Sequence, residues 1–159
     1  MLEQHVLTAP RIVDRPPQRM AVLETVGDPD TVGARAIGAL YGAIAQLGLK
    51  SGTLRARWPN AADGPKGEWV ARWALPVPDH SPELGGGIAL ETWYGRPTAE
   101  IVHEGPFGDH GLETVKRLHR FIEDCGYEIA SPAEEEYLTQ PGDEPKRTII
   151  RFEIRQLHA

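Results

Sequence analysis

The chain repeats itself. Displacing the sequence by 78 positions lays Gly27 on Gly105, Gly33 on Gly111, Leu40 on Leu118 and Gly48 on Gly126 without a gap. In the same register Ala21 falls on Ala99, Leu23 on Ile101, Ile37 on Val115 and Ile44 on Ile122. The matched positions are glycines, which answer to backbone geometry, and apolar residues, which answer to burial. Such a chain is built twice from one supersecondary unit, and each copy must cover its sheet in the same way.

Each copy reads as strand, helix, strand, strand. In the first, Arg19 to Thr25 suits a half-buried strand. Gly27-Asp28-Pro29-Asp30 breaks it, and Asp28 or Asp30 is the cap of the next helix. From Thr31 to Leu47 the residues Ile37, Leu40, Tyr41, Ile44 and Leu47 recur at helical spacing, and Gly48 ends the run. Leu54 to Trp58 alternates apolar residues with arginine, and Trp69 to Leu75 places Trp69, Ala71, Trp73 and Leu75 on one face. Arg11 to Asp14 reads as a short edge strand. Residues 76–87, with three prolines and three glycines, read as a loop.

In the second copy, Ile88 to Tyr94 and Thr98 to His103 are strands joined at Gly95-Arg96-Pro97. Leu112, Val115, Leu118, Phe121 and Ile122 mark a helix stopped by Gly126. A strand entered through Pro132 follows, then the turn Pro141-Gly142-Asp143. Arg147 to Arg155 closes the chain with Ile150, Phe152 and Ile154 facing one way. The expectation is a single α+β domain over residues 1–159 with halves at about 1–78 and 86–159. The two modules place their helices outside and a ligand cleft at the centre, where repeats that meet at an axis commonly bind.

The strand Ala133-Glu134-Glu135-Glu136-Tyr137-Leu138 carries the chemistry. Alternation puts Glu135 and Tyr137 on one face and Glu134, Glu136 and Leu138 on the other. A solvated acidic edge would account for the glutamates alone. In the first copy, however, the matching strand offers Ala56 or Arg57 opposite Glu135, depending on a one-residue choice of register. The carboxylate therefore breaks the repeat, and a feature that breaks an internal symmetry points to a site. A carboxylate drawn from water needs donors or a cation, and aromatic faces attract the same cations. Trp58, Trp73, Trp93, Tyr41, Phe107 and Tyr137 are the candidate walls, with core packing as the alternative for each.

Other chemistries lack their motifs. Net charge is −6 with no basic cluster, which argues against nucleic acid as a partner. No apolar run reaches the roughly 18 residues that span a bilayer, so no membrane partner is expected. Cys125 is the only cysteine, so no internal disulfide forms and a cytoplasmic location is the expectation. Its place after an apolar helical stripe predicts that it is buried. Gly85-Gly86-Gly87 lacks the Lys-Ser/Thr of a phosphate loop, and no Gly-x-Ser-x-Gly occurs. His103, His110 and His119 do not fall at metal-ligand spacings. No metal or cofactor is expected.

His103-Glu104-Gly105-Pro106-Phe107, the helix, Gly126-Tyr127 and Pro132-x-x-Glu135-x-Tyr137-Leu138-x-x-Pro141 together closely resemble the GyrI-like small-molecule-binding domain. That domain also forms the effector-binding part of multidrug-responsive bacterial transcription regulators, and this chain looks like a stand-alone member. The resemblance implies a cleft that takes bulky aromatic, often cationic compounds, with Glu135 as the pocket glutamate. The expected function is binding of a hydrophobic, cationic or polycyclic small molecule, for sequestration or sensing. It also implies two alternatives. One is hydrolysis of cyclopropane-containing DNA-alkylating toxins, with Glu135 as base and Tyr137 beside it. The other is inhibition of a protein partner such as gyrase. The tyrosine usual after Gly-Pro is Phe107 here, which removes that hydroxyl.

Overall fold

The computed structural model describes residues 9–60, 64–94, 96–105, 108–139 and 144–157. In chain order its elements are β1 (Arg11–Asp14), β2 (Gln18–Val26), α1 (Pro29–Gln46), β3 (Arg55–Trp58), β4 (Val70–Pro76), β5 (Ala89–Trp93), β6 (Pro97–Glu104), α2 (Gly108–Asp124), β7 (Tyr127–Ile129), β8 (Ala133–Tyr137) and β9 (Arg147–Gln156), with a 3-10 turn at Lys66–Glu68. The class is α+β, with antiparallel strands throughout. Two compact units form, one of residues 16–95 and one of residues 1–15 with 96–159.

In the unit of residues 16–95 the strand order is β3-β4-β2-β5. Helix α1 starts two residues earlier than its periodicity suggested, because Pro29 occupies its first position and Asp28 caps it, accepting from the Asp30 N–H at 2.9 Å. Its buried stripe is Gly33, Ala36, Leu40 and Ile44. Tyr41 and Leu47, expected in that stripe, are exposed, since the stripe is phased on the smaller residues 33 and 36. Gly33 is what lets the helix close down: a Cβ there would lie 3.0 Å from the Trp73 ring. Strand register sets Leu23 and Ala56 on either side of Trp73, in one row beneath α1. The opposite face carries a second cluster of Met20, Val22, Ala74 and Trp93.

In the other unit the order is β1-β6-β9-β8, with β7 on the far end of β9. Leu118 and Ile122 of α2 pack on Ala99, Ile101, Ile150, Phe152 and Ile154. Leu112, counted in that stripe from sequence, is exposed. Cys125 is exposed as well, contrary to expectation, because α2 ends at Asp124 and the left-handed Gly126 (φ 81°) turns the chain away. Strand β7 was not foreseen, since three residues are too few to show a period.

Strands β5 and β6 are consecutive in sequence yet do not pair with each other. β5 joins β2, while β6 lies between β1 and β9. The compact units therefore cut the chain at 15/16 and 95/96. The 78-residue shift carries β1 onto β5, so in each unit the edge strand comes from the segment preceding the other copy.

The face of β6, β9 and β8 away from α2 is ionic. Register aligns Arg11, Glu100, Arg151 and Glu134 in one row across four strands. Arg151 donates to Glu100 at 2.9 Å, to Glu134 at 3.3 Å and to Glu136 at 2.5 Å. Arg11 reaches Glu100 at 2.7 Å and Arg15 reaches Glu134 at 2.8 Å. Burial by itself would raise the Glu100 carboxyl, but hydrogen bonds from Arg151 and Arg11 outweigh it and hold the group below the ordinary carboxylate range.

Candidate functional site

Strand β8 is fixed by β9: Glu135 pairs with Ile150 and Tyr137 with Thr148. Ile150 belongs to the cluster under α2, so Glu135 and Tyr137 stand on the helix-covered face. Glu134 and Glu136, their neighbours of opposite parity, enter the ionic row instead. The two faces of one short strand thus hold carboxylates in different surroundings.

The Tyr137 hydroxyl donates to Glu135 Oε1 at 3.0 Å. Burial first, then the nearby Glu135 charge and this hydrogen bond, push the Tyr137 phenol well above its usual 10.0. The phenol therefore stays a donor at any physiological pH. Glu135 remains the acceptor, one of its oxygens oriented by the bond. A half-buried carboxylate held this way offers a directed negative charge to a cation, or a base to a water molecule.

The register also resolves the choice left open in the repeat. Ala56 pairs with Trp73, which pairs with Leu23; Glu135 pairs with Ile150, which pairs with Ile101. Ala56 is therefore the counterpart of Glu135, and Trp58 that of Tyr137.

The structure does not gather all the candidate aromatics. Trp58 and Trp73 meet edge to face at 5.5 Å, and Trp58 meets Trp69 at 6.4 Å, on the α1 side of their sheet. The Trp73 indole donates to Thr25 Oγ1 at 3.0 Å. Trp93 pairs with Gln18 and so points to the opposite face, where the Arg57 guanidinium lies 3.8 Å over its ring. Its neighbour Glu91 is bound by Arg72, whose hydrogen bond lowers the carboxyl. Tyr41 is an exposed residue of α1. Phe107, with Pro106 and Pro141 of the same motifs, lies outside the described residues.

One residue of the site's face was not assigned a role from sequence. His103 of β6 pairs with Thr148, which pairs with Tyr137, so the three form one row beneath α2. His103 is 4% exposed and is hydrogen-bonded through Nδ1 to Thr114 Oγ1 of α2 at 2.7 Å. The repeat held a signal for it, since the 78-residue shift sets Thr25 against His103 and Ala36 against Thr114. Among the described residues no group of three or more metal-ligating side chains forms.

A strand-helix-strand-strand unit that occurs twice in one chain defines the class as an α+β domain. This chain belongs to the GyrI-like small molecule binding domain family, whose model matches residues 8–155. Among curated proteins no sequence match is found. Solved structures share the fold. A hydrolase from Listeria innocua is 18% identical with a TM-score of 0.77, covering 97% of this chain and 96% of that one. The EcmrR C-terminal domain is 14% identical with a TM-score of 0.78, covering 95% and 99%. SAV2435 bound to tetraphenylphosphonium is 13% identical with a TM-score of 0.58, covering 93% and 94%. No helix among the described residues is long and apolar enough to cross a membrane.

Proposed function

We propose that this protein binds a bulky hydrophobic cation, with Glu135 as the charge partner and Tyr137 as the group that orients it. The observation that carries this reading is the 3.0 Å bond from the Tyr137 hydroxyl to Glu135 on the face beneath α2. A phenol kept protonated by burial cannot itself neutralise a cation, so the charge falls to Glu135. The aromatic ring adds attraction of the same sign. The shared fold of SAV2435, a protein seen with tetraphenylphosphonium, supports the chemical class.

Titration with tetraphenylphosphonium and with neutral triphenylphosphine oxide tests it. Glu135→Gln weakens the cation by roughly 1–3 kcal/mol, the scale of a charge-assisted contact, and the neutral compound far less. Equal losses for the two would show that the substitution only disturbs shape.

A second reading, hydrolysis, is favoured by the hydrolase from Listeria innocua that shares the fold. A cyclopropane conjugated to a carbonyl opens when water attacks a ring carbon. The ring bond breaks, its electron pair moves to the carbonyl oxygen, and Glu135 takes the proton from the water. No covalent intermediate is needed. In oxygen-18 water the opened product then carries one solvent oxygen after a single turnover. Turnover undiminished in Glu135→Gln removes Glu135 from that mechanism.

A further inference from the structure

The two copies of the repeat fix their helices by different chemistry. In the unit of residues 16–95 the first half of α1 rests on an aromatic wedge. Trp73 lies against Gly33, its indole is bound to Thr25, and Ala36 of the helix is buried. The 78-residue shift replaces Thr25 by His103 and Ala36 by Thr114, and strand pairing replaces Trp73 by Ile150. The wedge has become a polar bond from strand to helix, His103 Nδ1 to Thr114 Oγ1 at 2.7 Å. Only the copy that carries Glu135 and Tyr137 has made this exchange.

The position of the bond gives it a consequence. The apolar contacts of α2 run through Val115, Leu118, Phe121 and Ile122, toward its C-terminal end. Leu112, one turn earlier, is 55% exposed. His103 stands in the row that continues through Thr148 to Tyr137. Thr114 thus fastens the first half of α2 above the end of the sheet where the candidate site lies.

We propose that His103, through Thr114, is a positioning residue for the Glu135–Tyr137 site, holding the first half of α2 over that face. The inference rests on the binding reading above. A buried imidazole bound to a hydroxyl is directional, so it sets where the helix sits more sharply than apolar contact does.

The test uses Thr114→Val, which keeps side-chain shape and removes the hydroxyl, and Thr114→Ser, which restores it. Two measurements are made on the full chain: amide hydrogen exchange along α2, and affinity for tetraphenylphosphonium. In Thr114→Val, exchange speeds up in the first half of α2 while the second half keeps its protection. The cation binds roughly tenfold more weakly, the factor that loss of one net hydrogen bond supports. Thr114→Ser returns both to near wild type. Unchanged exchange, or protection lost evenly over the whole unit, overturns the proposal. So does faster exchange with unaltered affinity. If the wild-type protein takes up no cation at all, the binding reading falls and the positioning role with it. That outcome is distinct from a wild type that binds and a Thr114→Val that binds equally well, which removes the positioning role alone.

Discussion

Tyr137 donates its hydroxyl proton to Glu135, two residues earlier on the same strand, at 3.0 Å. Residues i and i+2 share a face, so the bond costs no backbone distortion. It joins a group that resists ionisation to one that carries charge, and the pair behaves as one unit.

Tyr137→Phe therefore separates orientation from charge. The ring remains for contact and the carboxylate loses its donor. Cation affinity falls by about 0.5–1.5 kcal/mol, less than in Glu135→Gln. A Tyr137→Phe loss equal to or greater than that of Glu135→Gln in the same calorimetric titration would place the charge elsewhere.

Alkaline stability follows from the phenol. Its folded pKa lies above the unfolded value, so the protonated form is favoured in the native state. The corresponding stability is complete below pH about 10, the unfolded value, and is lost as pH rises through the folded one. Denaturant unfolding followed from pH 8 upward shows this loss in wild type and a flatter curve in Tyr137→Phe. Parallel curves would contradict it.

The ionic row makes the opposite demand at acid pH. Glu100 is held below its ordinary range, so its contribution is present above the unfolded carboxyl value and fades as pH falls through the folded one. Arg151→Met removes the guanidinium that Glu100, Glu134 and Glu136 share, while Arg11 stays on Glu100 and Arg15 on Glu134, and costs about 3 kcal/mol at neutral pH, the low end for breaking a buried ion pair. The double change of Arg151→Met with Glu100→Gln costs less than the sum of the two single changes. Strict additivity in urea unfolding would mean that the groups do not act together.

The glycines of α1 separate packing from propensity. Gly38 and Gly42 have nothing within 4 Å of an added Cβ, so alanine stabilises each by about 0.5–1 kcal/mol through helix propensity. Gly33→Ala meets the Trp73 ring at 3.0 Å, and that ring is held by Thr25 and Trp58. Overpacking of this kind costs about 1–3 kcal/mol, so the net change is destabilising. Thermal midpoints that rise for all three variants would show that the helix moves away freely.

What could be read from the sequence was whatever depends on near neighbours. A cap at Asp28 or Asp30 was legible before α1, as were the stops at the left-handed Gly48 and Gly126, because caps and stops are decided within a turn of chain. Glu135 and Tyr137 share a face because alternation along a strand needs no partner. The repeat itself was visible because glycines and core residues recur at one displacement. What only the tertiary structure decided was register and partnership. The parity of Trp93 in β5 was readable, but its face followed from pairing with Gln18, which set it opposite Trp73. The choice between Ala56 and Arg57 as the counterpart of Glu135 was a one-residue shift that turns a strand over, and pairing with β4 settled it. The pairing of β1 with β6, the alignment of Glu100, Arg151 and Glu134, and the His103–Thr114 bond each join residues that no local period connects. Periodicity is a property of a few consecutive residues, whereas register is fixed by the burial of a whole face at once. The chain alone therefore put Glu135 and Tyr137 on one face, and the fold supplied what stands around them.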